Sequence, residues 1–220
     1  MRGFDQIYQI AADRHGGTEA VEQQLSKPLS AEALAAIPED RWLSKMTKCI
    51  FQAGFSWKVI DAKWDGFEAA FEGFDPGRCA MMDDDWFDQL VQDKRIVRNA
   101  KKIITVRDNA AFLLELRDQG GAGHVFGGWP TSDFVGLLEL LKKRGSHLGG
   151  NAGQLSMRFM GCDSFMLSRD VTARLVAEGV IDKPATSKTA LRAVQAAFNE
   201  WVAQSGRSMT EVSKVLALSV

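Results

Sequence analysis

Apolar residues recur at three- and four-residue spacing along nearly every segment of the chain, and no run sustains the apolar–polar alternation of a strand. That period is the helical one, so the pattern predicts an all-α, multi-helix fold. Leu34, Ile37, Trp42, Met46, Ile50 and Phe51 mark one buried face, and Ile103, Val106, Ala110, Leu113, Leu114 and Leu116 mark another. Short oxygen-bearing side chains at Ser30, at Asp75-Pro76 and across Thr131-Ser132-Asp133 can cap free backbone N–H groups, which divides the chain into about a dozen short helices. Longer helices are expected at Ser187 to Gln204 and Met209 to Ala217. With no internal repeat or Pro/Ser-rich linker, residues 1–220 read as a single helical domain or two closely packed lobes, and Gly120-Gly121-Ala122-Gly123 is the best hinge candidate.

Composition narrows the class further. A chain of 220 residues, 45% of them hydrophobic, can bury a sizeable core. No apolar run approaches the roughly 20 residues of a membrane span, so a soluble cytoplasmic protein, monomeric and with no membrane partner, is expected. Cys49, Cys79 and Cys162 are widely separated and show no metal-binding spacing, so neither disulfides, metal nor other cofactor is expected. The formal net charge of -1 supplies no global field for nucleic acid, so any DNA contact must come from a local basic face.

The segment from Phe134 to Leu175 is the most informative. It reads as helix, glycine-rich turn, helix, loop and helix, with a helix-hairpin-helix region at about 132–160. Gly145, Gly149 and Gly150 permit tight or positive-φ conformations, and a helix beginning near Asn151 would aim unpaired N–H groups outward, an end suited to phosphate. Lys142, Lys143 and Arg144 precede the turn and can add charge contacts to a DNA backbone. An ordinary αα-hairpin with a solvated basic end explains the same pattern. Asp170 falls in the first turn of the helix begun by Ser168-Arg169, where its carboxylate either points into a cleft or complements the helix dipole.

The layout of turn, helix, loop and aspartate resembles the motif of the helix-hairpin-helix DNA glycosylases. Asp170 matches the aspartate that, in that superfamily, stabilises the positive sugar and orients water; the broken N-glycosidic bond develops oxocarbenium character that a carboxylate offsets. Asn151 stands where strand-cleaving members carry a lysine. The resemblance therefore implies a monofunctional enzyme that uses water.

A second stretch, KCIFQAGFSWKVI from Lys48 to Ile60, is similar to the signature of the DNA-3-methyladenine glycosylase I family, above all at Gln52-Ala53-Gly54-Phe55-Ser56-Trp57. Phe74-Asp75-Pro76, LVQDKRIVRNAKKI from Leu90 to Ile103, and LLKKRG from Leu140 to Gly145 extend the resemblance over roughly residues 40 to 175. It implies a base-excision repair hydrolase acting on double-stranded DNA that contains an alkylated purine, 3-methyladenine above all. Trp57 would stack on the extruded base, Phe55 would fill the gap left in the duplex, Tyr8 would wall the base pocket, and Gln52 would bond the base edge. Read without the resemblance, Phe55 and Trp57 are core aromatics and Gln52 is a backbone cap.

The sequence also departs from the family. Cys49 stands where the family holds a pocket carboxylate, and the family's terminal Cys/His zinc ligands are absent. A noncatalytic DNA- or lesion-binding protein and a glycosylase for another lesion are the alternatives. Lys94, Arg95, Arg98, Lys101, Lys102 and Arg107 form a basic run in which 94, 98, 101 and 102 are expected on one helical face, for DNA contact or simply for solvation.

Overall fold

Side-chain caps start many of the helices. Ser30 accepts from the Ala33 N–H at 3.2 Å, Asp75 accepts from the Arg78 N–H at 2.8 Å with Pro76 in the first helical position, and Asp133 accepts from the Gly136 N–H at 3.2 Å. The computed structural model describes residues 1–220, and it is all helical. Fifteen α-helices run in order: α1 (Phe4–His15), α2 (Thr18–Glu22), α3 (Ala31–Ala35), α4 (Glu39–Gln52), α5 (Trp57–Ala62), α6 (Trp64–Ala70), α7 (Pro76–Ala80), α8 (Asp84–Gln92), α9 (Ala100–Glu115), α10 (Ala122–Gly127), α11 (Phe134–Arg144), α12 (Asn151–Met160), α13 (Arg169–Ala177), α14 (Lys188–Ser205) and α15 (Met209–Leu218). No helix is long and apolar enough to cross a membrane.

The chain divides into two compact units. A terminal unit comprises Met1–Leu29, Pro130–Gly136 and Gly161–Val220; a central unit comprises Ser30–Trp129 and Leu137–Met160. In the terminal unit α15 packs against α1, α13 and α14. Phe165 stacks on Phe198 at 4.7 Å and meets Phe134 edge-on at 5.1 Å. Buried charges tie this unit together: Glu178 pairs with Arg2 at 2.7 Å and Arg174 at 3.2 Å, and the Arg174 Nε donates to Ser219 Oγ at 2.7 Å. Burial works to raise the Glu178 pKa, but the Arg2 backbone N–H and the Arg2 and Arg174 guanidinium groups outweigh it and hold the carboxyl below its usual range.

In the central unit α4 and α9 pack together, α7 lies on α9, α10 on α3, and α12 on α4. Trp64 stacks on Phe67 and Phe74, and Phe67 meets Phe51 edge-on. The glycine run at 120–123 serves packing and helix termination. A Cβ on Gly123 would lie 2.3 Å from the Leu34 carbonyl oxygen, so this glycine lets α10 approach α3, and the boundaries between units fall elsewhere.

The basic run is not one helical face. Residues 93–99 are irregular, with the Asp93 carboxylate accepting from the Arg95 N–H at 2.8 Å and Asn99 capping α9 through the Lys102 N–H at 3.1 Å. Lys94 and Arg98 therefore precede the helix that carries Lys101 and Lys102.

Candidate nucleic-acid interface

The loop between α4 and α5 carries the first part of the site. Gly54 reaches φ +103°, which favours glycine, and lets the chain turn after α4; Phe55 and Ser56 follow, and Trp57 opens α5. Trp57 is 46% exposed, and Phe159 on α12, also 46% exposed, meets it edge-on with ring centroids 6.1 Å apart. The packing of α12 on α4 thus joins two segments far apart in sequence into one exposed aromatic patch. Sequence reasoning missed Phe159 because it lies two helical turns after buried Ala152 and reads as part of the core stripe.

One cation meets the patch, and other polar groups lie on α4 and α5. The Lys45 ammonium lies 5.9 Å from the Phe159 ring centroid. Lys48 pairs with Asp61 at 2.9 Å and sits over the Trp64 ring at 5.0 Å. Gln52 is buried, and its Nε2 donates to Asp61 at 3.4 Å, while its Oε1 has no partner. An unpartnered buried acceptor costs about 1–3 kcal/mol, so the amide oxygen is held ready for a donor. Cys49 is fully buried; burial pushes its thiol up to about 12 despite the nearby lysines, so it remains neutral.

The α11–α12 turn forms the second part. Gly145, Gly149 and Gly150 stay out of the left-handed region; His147 adopts it instead, at φ +60°. The glycines are needed for space. A Cβ on Gly145 would lie 2.7 Å from the Leu141 carbonyl oxygen, and one on Gly149 would lie 2.8 Å from Lys142 Cγ. Gly150 faces open space immediately before the exposed Asn151 that starts α12. Asn109, fully buried on α9, clasps the turn from beneath: its Oδ1 accepts from the Ser146 N–H at 2.8 Å and its Nδ2 donates to the Ser146 carbonyl at 3.0 Å. Lys142 and Lys143 are exposed, whereas Arg144 is ion-paired with Glu115.

Two further candidates lie in the terminal unit. Asp170 is exposed in the first turn of α13, whose N-cap Ser168 accepts from the Val171 N–H at 3.2 Å. The Tyr8 hydroxyl donates to Glu22 at 2.5 Å, and Arg207, paired with the same carboxylate, lies 5.2 Å over the Tyr8 ring. Burial and the Glu22 carboxylate raise the Tyr8 pKa, so the hydroxyl stays a protonated donor already in use.

Residues 37–126 match the family described as methyladenine glycosylase. DNA-3-methyladenine glycosylase 1 of Escherichia coli (strain K12) is 36% identical over 69 residues, 31% of this chain and 37% of that protein. The match therefore spans little more than a third of the curated relative's length. A crystal structure of 3-methyladenine DNA glycosylase I (TAG) aligns with 66% of this chain and 86% of its own, at 24% identity and a TM-score of 0.47.

The matched stretch contains Cys49, Gln52, Phe55, Trp57, Lys102 and Asn109. Phe159 and the 145–151 turn lie beyond its end but inside the central unit, held there by α12 on α4 and by the Asn109 clasp.

Proposed function

We propose that this chain is a base-excision DNA repair glycosylase that extrudes an alkylated purine, 3-methyladenine above all, from double-stranded DNA and hydrolyses its N-glycosidic bond. The observation that carries the reading is the exposed Trp57–Phe159 pair, whose Trp57 lies, with the unpartnered Gln52 oxygen, in the stretch matched to methyladenine glycosylase. An alkylated purine is electron-poor, so an aromatic face attracts it, and base–aromatic stacking is worth about 1–3 kcal/mol. The Gln52 oxygen accepts from a donor on the base edge.

The other roles follow from position and chemistry. The start of α12 and the free space before Gly150 admit a phosphate, with Lys142 and Lys143 adding charge and Arg144 already partly neutralised. Phe55 fills the gap left by the extruded base. The positively charged purine takes the bonding electrons as it departs and leaves neutral, while water adds to the sugar carbon and loses a proton. Asp170 is assigned the oxocarbenium and that water by its resemblance to the aspartate of the helix-hairpin-helix DNA glycosylases. Asn151 offers an amide in place of an amine, so no Schiff base forms and the strand stays whole.

Incubation of the protein with methylated duplex DNA, followed by chromatography of released bases, tests the reading. Release of 3-methyladenine with the strand intact is the expected result. Binding without release favours a noncatalytic lesion binder, and release of a different purine favours another lesion, a reading that the buried, neutral Cys49 supports. An Asp170→Asn protein that excises at the wild-type rate would remove Asp170 from the mechanism.

A further inference from the structure

The last carbonyls of α4 lack acceptor-side partners within the helix, as at any helix C-terminus. Lys102, in the first turn of α9, supplies them. Its Nζ donates to the Ile50 carbonyl at 2.5 Å and to the Ala53 carbonyl, and the same ammonium lies 5.1 Å from the Phe55 ring centroid and 5.9 Å from that of Phe51. Two of its three protons are committed to backbone, and the remaining face of the cation is occupied by aromatic rings. The side chain is partly buried, and burial lowers its pKa. A lysine held this way is neither a solvated surface charge nor a free phosphate contact. A cation at a helix C-terminus is also favoured by the helix dipole.

These contacts fall on both sides of the turn that presents Phe55. Ala53 precedes Gly54, which stands at φ +103° with nothing within 4 Å of where a Cβ would be. Ser56 and Trp57 follow directly. We infer that Lys102 is a positioning residue: it fixes the loop at 53–56 so that Phe55 stands ready to enter the duplex. The inference rests on the reading of Phe55 as the residue that fills the gap.

The test compares Lys102→Met, which keeps the aliphatic stem, with Phe55→Ala and the double variant. Single-turnover base release is measured from a duplex carrying the alkylated purine and from the same strand unpaired, where no gap has to be filled. Phe55→Ala is expected to slow the duplex reaction and spare the unpaired one. Lys102→Met should slow the duplex reaction about tenfold, leave the unpaired rate within about twofold, and add nothing to Phe55→Ala in the double variant. Lys102→Arg, which keeps donors for both carbonyls, should recover most of the duplex rate.

Equal slowing on both substrates, or effects that multiply in the double variant, would overturn the inference and leave Lys102 a structural cap. No selective effect of Phe55→Ala would overturn the gap-filling reading and the inference with it. Should the wild-type protein release no base, extrusion is read from the fluorescence of 2-aminopurine in bound duplex, with the same expectations for the four variants.

Discussion

Trp57 and Phe159 each leave nearly half of a large apolar ring in water, although the core takes up most of the other aromatics. Removing rings so exposed should hardly disturb folding, within about 0.5 kcal/mol, yet each loses a stacking surface worth about 1–3 kcal/mol. Trp57→Ala and Phe159→Ala are therefore expected to keep the wild-type melting temperature and lower base release about tenfold or more, measured as kcat/KM on methylated duplex. Of this pair only Trp57 was legible in the sequence, through its place after Gln52-Ala53-Gly54-Phe55-Ser56. Phe159 shares the spacing of the buried α12 residues, and only the way α12 meets α4 reveals its exposure. Lys102 was misread for a similar reason: a lysine among lysines and arginines looks solvated until the carbonyls it meets are known.

At the scale of elements, the α11–α12 turn depends on contacts that periodicity cannot show. Asn109 replaces one backbone partner for both the N–H and C=O of Ser146, and its loss would strand both in a partly buried place. Asn109→Ala should destabilise the fold by about 1–3 kcal/mol in denaturant titration and also weaken binding to undamaged duplex. The glycines separate the two effects. Gly145→Ala forces a methyl against the Leu141 carbonyl and the Leu148 side chain and should cost about 1–3 kcal/mol of stability. Gly150→Ala meets open space, so stability should hold while affinity for duplex falls. A Gly150→Ala protein that binds duplex as well as wild type would argue against phosphate at that end of α12. The positions of these glycines were readable from the sequence, but their reason was not: crowding, with the left-handed step passed to His147.

Over the whole molecule, caps and the three- to four-residue period sufficed for the helical class and for several helix starts, because Ser30, Asp75 and Ser187 act locally. The division into units was hidden, since each unit is built from separated stretches of chain. So was the network in which buried Arg174, Glu178 and Ser219 meet the exposed Arg2, which links residues at opposite ends of the sequence. Because Glu178 has a folded-state pKa below its unfolded value, its ionised form adds stability at neutral pH, and that contribution is lost as pH falls through the folded value. The gap in melting temperature between wild type and Glu178→Gln should thus be widest near pH 7 and close progressively below about pH 4. A gap that stays constant with pH would show that the carboxylate charge contributes nothing there.

The packing of α1 against α15 has a consequence for biosynthesis. On a ribosome α1 emerges while α15 is still untranslated, whereas the whole of the central unit is translated in the interval between them. Domains generally mature from the N-terminus as they are made. Here the order is inverted, and the nascent polypeptide must carry the part of α1 that α15 will cover unsheltered, a natural target for chaperones, until α15 has left the exit tunnel.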